Sequence, residues 1–380
     1  MSENSIRIPF SSPYLTGREL EYMRQSVNSG NIVGNGEYTR KCEYLLQKTF
    51  SAQNVLLTNS CTDALEMASL LIDLKPEDEV IVPSFTFVST VNAFILRGSK
   101  PVFVDIREDT LNIDETKIGE KITDRTRAIF PVHYAGVACE MDAIMDIAEI
   151  HNLSVVEDAA QGVNARYNER YLGTIGSLGT YSFHGTKNYT CGEGGALVIN
   201  RSDLVERAEI IREKGTNRSR FLRGEIDKYT WVDIGSSYLL SDILSAFLYA
   251  QLEHLEEIKR KRKEIFGLYY KNLKELEDAG RLRLPVVPDN CETNYHMFYI
   301  LLPSEEKRDS LMEKLRGVGI QAVFHYIPLH SSPMGVRFGY QSGDLPVTES
   351  ISARLLRLPF YAHLEIEEQE IVIAALKEYI

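Results

Sequence analysis

Residues 181–195, YSFHGTKNYTCGEGG, set Lys187 between an apolar run and a glycine-rich turn. Most lysines are solvated. One that is desolvated, or set beside another cation, has its pKa lowered from about 10.4 toward neutrality and becomes a nucleophile. The stretch itself does not decide between the two. Gly192, Gly194 and Gly195 free the backbone for positive φ or close approach before GALVIN resumes a strand. In isolation such a turn is a hairpin in most proteins, and only features elsewhere in the chain can make it room for a ligand or a neighbouring subunit.

Two upstream features bear on the choice. VVEDAAQ (155–161) is an apolar strand ending in Glu157 and Asp158, whose side chains must point to opposite faces, so only one can enter a given pocket. An acid there can hold a protonated ring nitrogen, or it can be a rim or capping acid. Earlier, VLLT (55–58) runs into Asn59-Ser60-Cys61-Thr62-Asp63 and then a helix. Unpaired amides at a helix start, with the positive end of its dipole, make a phosphate cradle. The same residues can also be an ordinary N-cap, with Ser60 or Thr62 capping and Asp63 complementing the dipole. A phosphate cradle, an acid for a ring nitrogen and a lysine 29 positions beyond that acid are together the three fixed points of a pyridoxal phosphate site.

Rival chemistries fit less well. Gly173-Thr174-Ile175-Gly176-Ser177-Leu178-Gly179 neither follows an apolar strand nor opens a helix, as a dinucleotide fingerprint must. His325 and His330 in VFHYIPLH lack an accompanying acidic set, so they read as hydrogen-bonding residues of a pocket loop and no metal site is expected. The five cysteines are scattered with no C-x-x-C pair, which suggests neither disulfides nor zinc. A net charge of −12 argues against nucleic-acid or anionic-membrane surfaces, and no run reaches the roughly 18 apolar residues of a membrane span. With no signal-peptide pattern in MSENSIRIPFSSPYL, a cytoplasmic location is expected.

The elements that must position these residues follow a rhythm. VLLT, EVIVPS (79–84), PVFVDI (101–106), RAIFPVH (127–133) and LSVVEDA (153–159) are short apolar runs, separated by helical stretches such as 63–74 and 140–151. Apolar strands alternating with helices indicate an α/β fold with a mostly parallel sheet covered on both faces, and ligands collect at the strands' carboxyl ends. Thr16 and Glu19 fit a capping box opening a helix that Gly30 ends. After about residue 200 the rhythm gives way to a long charged helical region, roughly 238–277, then LRLPVVPDN (282–290), read as a linker. A strand at 296–302 and helices at 308–319 and 365–379 follow. The expected division is a large domain over 1–250, with an N-terminal helical segment, and a smaller α+β domain over 251–380.

The motifs PSFTFVST (83–90), PVHYAG (131–136), VVEDAAQ, SFHGTKNYTCGEGG and HYIPLH, in this order, resemble the DegT/DnrJ/EryC1/StrS family of sugar aminotransferases, which has the aspartate aminotransferase-like fold type I. The resemblance runs over essentially the whole chain. It implies pyridoxal 5′-phosphate held covalently on Lys187, with pyridoxamine phosphate as the intermediate. Asp158 would pair with the ring nitrogen, Gln161 would lie near the ring hydroxyl, and Phe87 would stack on the ring. Cys61, Thr62, the Asp63 amide and Ser182 would hold the phosphate. It further implies a homodimer with the active site at the interface, L-glutamate as donor and a nucleotide-linked keto sugar as acceptor. The branch it most resembles acts on dTDP-4-keto-6-deoxy-D-glucose, giving dTDP-4-amino-4,6-dideoxy-D-galactose for surface polysaccharide. A 4-amino gluco product, a 3-keto substrate, or a non-catalytic cofactor-binding regulator are the alternatives. His325, Tyr326 and His330 would meet the substrate. So would Arg218 and Arg220, within a segment (212–228) holding six Lys or Arg against three acids. The chain departs from its relatives at Leu239, where many place an asparagine that reaches the partner's phosphate, with Ser236 or Ser237 as candidate replacements.

Overall fold

The expected apolar runs form β1 (Asn54–Thr58), β2 (Glu79–Pro83), β3 (Lys100–Val104), β4 (Thr126–Ile129) and β5 (Ser154–Asp158). Short strands β6 (Arg166–Tyr167) and β7 (Arg170–Tyr171) precede β8 (Leu178–Ser182) and β9 (Gly195–Ile199). Seven of these lie in one sheet of order β1-β9-β8-β5-β4-β2-β3, seen in a computed structural model that describes residues 6–380. From β8 through β5, β4 and β2 to β3 every pair is parallel, while β9 runs antiparallel to both neighbours.

Strand alternation explains why the runs are apolar throughout. Val55 and Leu57 of β1, Ile81 of β2, Val155 of β5 and Val198 of β9 enter one core. Their neighbours Leu56, Val80, Val82, Val156, Leu197 and Ile199 enter a second core on the other face. Successive side chains go to opposite faces, so a sheet covered on both sides needs apolar residues at every position.

The covering helices are α1 (Glu19–Asn28), α2 (Glu37–Phe50), α3 (Cys61–Leu71), α4 (Val88–Ile95), α5 (Met141–His151), α6 (Val205–Arg212), α7 (Arg218–Leu222) and α8 (Asp242–Leu252). The expected start of α1 holds in part. Glu19 reaches back to the Thr16 amide at 2.7 Å and the Thr16 hydroxyl accepts from Arg18 N, but the helix begins only at Glu19.

The charged region read as one helix is two, since the chain breaks after α8 and restarts as α9 (Leu255–Asp278). The expected boundary at 250 falls within α8. Beyond it come β10 (Cys291–Glu292), β11 (Tyr299–Leu301), α10 (Glu305–Gly317), α11 (Pro333–Arg337), α12 (Pro346–Arg354), β12 (Leu355–Arg357) and α13 (Ile366–Tyr379). A third core joins α9 (Ile265, Tyr269, Leu273) to β11, α10, β12 and α13. The stretch read as a linker is partly structural. Leu282 and Leu284 are buried in that core, and Arg283 exchanges backbone hydrogen bonds with Leu301. Among the described residues no helix is long and apolar enough to cross a membrane.

Candidate active site

The loop of Lys187 joins β8 to β9, which are antiparallel neighbours, so the connection is a long hairpin after all. Phe183 N donates to Gly194 O and Gly185 N to Gly192 O, both at 2.8 Å. The glycines still serve close approach, at one point. A Cβ on Gly195 would lie 2.4 Å from Cys61 N and 2.3 Å from the Ser60 carbonyl carbon, so the start of α3 rests directly on this residue. Pairing of Gly195 with both Thr58 and Ser182 puts the ends of β1 and β8 beside the same spot.

Lys187 is partly buried, and burial lowers its pKa, with Arg357 acting in the same direction while Cys61 and Asp158 oppose it. The amine is therefore easier to free of its proton than a solvated lysine. Asn188 fixes the loop beyond it. Its Nδ2 donates to Asn294 O at 2.9 Å, and its Oδ1 lies 2.9 Å from His296 Nδ1, which must be the donor there.

The two acids of β5 have separate surroundings. Glu157 is fully buried and accepts from Gly173 N, Ile175 N and Gly176 N at 2.8, 2.7 and 2.6 Å, with His133 Nε2 at 2.9 Å. The glycine-rich run that fails as a dinucleotide site is thus a cradle for this carboxylate. Asp158 faces the Lys187 side. Its Oδ2 accepts from Thr90 Oγ1 at 2.6 Å and its Oδ1 from Ala160 N at 3.1 Å. Because Thr90 spends its one proton on Asp158, Thr86 Oγ1, at 2.8 Å, donates into Thr90. This accounts for the spaced threonines of PSFTFVST.

At α3, Ser60 Oγ accepts from Asp63 N at 3.0 Å. The Asp63 amide expected for a phosphate is therefore taken by an N-cap, and the amides of Cys61 and Thr62 are the ones left at the helix end. The Thr62 hydroxyl meets Ser89 Oγ at 2.8 Å. Ser237 O accepts from Asn59 Nδ2 at 3.0 Å, so the segment next to Leu239 already adjoins this turn within one chain. The buried Cys61 thiol has its pKa pushed up by burial, with Asp158 adding to the rise and Thr180 and Lys187 opposing it. That keeps it a thiol rather than a nucleophilic thiolate.

The other expected residues divide. Gln161 accepts from Ala135 N at 2.7 Å and donates to Tyr326 Oη at 3.1 Å, so these two belong together. Phe87 is 57% exposed at the start of α4, its ring 6.3 Å from that of Tyr326. His325 Nδ1 lies 2.9 Å from Tyr134 Oη. Burial, then the charges of Arg357 and Lys187, holds the His325 pKa well down, so the neutral ring accepts from the Tyr134 hydroxyl. His330 is turned away from Lys187 into a buried contact with Ser84 Oγ (2.7 Å) and Glu349 Oε1 (2.9 Å). The chain Ser84–His330–Glu349 has a triad's order, but Ser84 and His330 are fully buried and lock the strand β2 exit to α12. Arg218 and Arg220 lie on α7, where Arg218 pairs with Glu213 and Arg220 with Glu206 and Glu225. No contact among the described residues joins them to Lys187.

Sequence reading missed His296, Asn294 and Arg357, all from beyond residue 290. It also left PVHYAG unexplained. His133 supports Glu157, Tyr134 holds His325 and the Ala135 amide orients Gln161. Gly136, at φ 78°, abuts Asn294 Oδ1, which a Cβ would approach to 2.0 Å. That last pair was visible only as an unexplained glycine.

The arrangement fits pyridoxal phosphate. Two helix-end amides beside Gly195, a carboxylate steered by two donors and a lysine with a lowered pKa lie along the carboxyl edge of one sheet. A model of the DegT/DnrJ/EryC1/StrS aminotransferase family matches residues 13–377. The chain is 34% identical to an uncharacterized protein (MJ1066) of Methanocaldococcus jannaschii, over 100% of this chain and 99% of the relative. It is 32% identical to the spore coat polysaccharide biosynthesis protein SpsC of Bacillus subtilis, over 98% and 97%. The crystal structure of DesV from S. venezuelae, in complex with a ketimine intermediate, superposes with a TM-score of 0.88 at 31% identity, covering 98% of each chain.

Proposed function

The chain belongs to the DegT/DnrJ/EryC1/StrS aminotransferase family, and from that premise we propose that it is a cytoplasmic, homodimeric nucleotide-sugar aminotransferase. In this reading it moves the amino group of L-glutamate to the 4-keto carbon of dTDP-4-keto-6-deoxy-D-glucose. The product is dTDP-4-amino-4,6-dideoxy-D-galactose, a surface-polysaccharide precursor. The fold is that of fold type I enzymes, and its cofactor is pyridoxal phosphate. The observation that carries the reading is the meeting of Lys187, Asp158 and the start of α3 at one sheet edge.

Bound pyridoxal phosphate supplies an electron sink that acidifies the carbon bearing the amine. The chain's residues do the rest. Lys187 Nζ would move the proton of the donor carbon to the former aldehyde carbon of the cofactor, and in the second half-reaction would move a proton from there to the sugar carbon. Asp158 holds the protonated ring nitrogen, stabilising charge that develops mainly in the transition state. The Cys61 and Thr62 amides with the Ser182 hydroxyl would hold the phosphate. Gln161 would meet the ring hydroxyl and Phe87 would cover a ring face. Tyr326 and His325 border the substrate side, where the buried Tyr134 and Gln161 contacts exclude water.

The test is direct. Protein, pyridoxal phosphate, L-glutamate and dTDP-4-keto-6-deoxyglucose are mixed, and the product is read by NMR couplings. An axial 4-amine is expected. An equatorial amine overturns the galacto assignment, and absence of product overturns the substrate. Borohydride reduction and peptide mapping should place the label on Lys187, and a label elsewhere overturns the site.

A further inference from the structure

Among the described residues no hydrogen bond or ion pair reaches the Lys187 side chain, so whatever aims it acts through the backbone on either side. The two flanks differ. His184 and Thr186, before the lysine, are exposed, whereas Asn188, Tyr189 and Thr190, after it, are buried. The lysine is therefore held from its carboxyl side.

Asn188 is gripped by Asn294 and His296, 106 and 108 positions further along the chain. Its Nδ2 donates to Asn294 O, which leaves Oδ1 as the acceptor for His296 Nδ1. That fixes the histidine tautomer, with the proton on Nδ1 and a lone pair on Nε2. Burial first, and then the charges of Lys187, Arg262 and Arg357, holds the His296 pKa well down, in keeping with a neutral ring. The gripping segment is itself fastened. Arg262 of α9 donates to Tyr295 O at 2.9 Å and to His296 O at 2.6 Å. Asn294 Nδ2 donates to Gln161 O and Val163 O, both at 2.8 Å. His296 also lines one cavity with Lys187, Ser182 and Gln161, and among the described residues its Nε2 meets no hydrogen-bond partner.

We propose that His296 is a positioning residue for Lys187, holding Asn188 through its Nδ1 proton so that the lysine stem enters the cavity in one direction. The role rests on the aminotransferase reading, in which Lys187 is the covalent anchor and proton carrier. A lysine stem has four rotatable bonds, so the amine is placed only as well as the backbone beneath it. Without the Nδ1 donor, Asn188 Oδ1 is a buried acceptor with no partner, and the loop must shift to satisfy it.

The test compares wild-type apoprotein with His296→Leu, which fills the volume without a donor, and His296→Asn, which sets an N–H close to the place of Nδ1. Two probes separate aim from the integrity of the pocket. One is the rate at which the lysine-bound absorbance appears after mixing with pyridoxal phosphate. The other is the affinity for pyridoxamine phosphate, which has the same ring and phosphate but no aldehyde to meet the lysine. A displacement of the amine by about 1 Å should slow capture roughly 10- to 100-fold in His296→Leu. Affinity for pyridoxamine phosphate should be unchanged, and His296→Asn should recover most of the rate. Asn188→Ala breaks the same link without touching the ring. Its capture should slow by a similar factor, and adding His296→Leu to it should slow capture no further. Wild-type capture by His296→Leu overturns the assignment, as do equal slowing in His296→Leu and His296→Asn or multiplied slowing in the double variant. A matching loss of pyridoxamine phosphate affinity also overturns it, making His296 a wall of the pocket. Wild-type apoprotein that takes up neither compound overturns the aminotransferase reading instead.

Discussion

Arg220 on α7, with Arg223 just past its end, and Arg357 on β12 are the same side chain in opposite surroundings. The first two are roughly 40% exposed and neutralised by Glu206, Glu209 and Glu225. Arg357 sits half-buried with no carboxylate paired to it among the described residues and one buried N–H unanswered. In the sequence the α7 arrangement resembles an anion site, because 212–228 is rich in basic residues. The surroundings of Arg357 leave no such mark. What separates them is the counter-charge, supplied to the first two and withheld from Arg357, and counter-charge is set by tertiary packing.

The same contrast separates the adjacent acids of β5. Glu157 is saturated by three amides and a histidine, while Asp158 is only steered. The sharpest way to break the comparison is at the lysine between these groups. Lys187→Ala should abolish the covalent cofactor link and cost roughly 10²–10⁴-fold or more in turnover, as loss of a positioned acid–base does. In wild-type apoprotein the amine must be neutral to attack an aldehyde. Burial lowers its pKa, so the rate of pyridoxal phosphate capture should rise with pH to a midpoint below the ordinary lysine value of about 10.4. A midpoint at or above that value would deny the desolvation.

Next in size is Asp158→Asn. The amide keeps the Thr90 contact but removes the charge that answers a protonated ring nitrogen, so kcat should fall by roughly 10²–10³-fold, with little change in thermal stability. Glu157→Gln is the converse. It weakens contacts to buried amides and to His133, and should cost about 1–3 kcal/mol of stability while the cofactor absorbance stays put. Denaturant midpoints and absorbance spectra of the two variants test the division. If Glu157→Gln altered the spectrum and Asp158→Asn only the stability, the assignment of the two faces would be reversed.

The sequence carried much of this because the sheet obeys short-range rules. Apolar runs such as Val80 to Val82 must be strands covered on two sides, and alternation alone sends Glu157 and Asp158 apart. The Gly195 to Cys61 approach was legible as a glycine with a purpose, though its hairpin was not. What stayed hidden came from residues distant in sequence. Arg357, in LLRLP, has no periodicity that sets it near Lys187, and His296 is an unmarked residue of a strand-like run. The acids that silence α7 were missed for a related reason. Glu206 and Glu209 belong to α6, before the basic segment begins, and face it only because the chain turns back.

That return of the chain makes Arg220→Ala the smallest effect and a decisive one. Exposed ion pairs contribute at most about 1 kcal/mol, and Arg220 shares Glu225 with Arg223, so removing it should leave unfolding stability within about 0.5 kcal/mol. If its charge is spent on these acids, dTDP affinity should change by less than about threefold, and less still at high salt, where exposed pairs are screened. A loss of tenfold or more with stability intact would mean that α7 releases its acids to grip the sugar diphosphate, as the basic run in the sequence suggests. The ion pairs that Arg220 makes in the fold would then be a resting arrangement, and its contrast with unpaired Arg357 would vanish once the sugar diphosphate is bound.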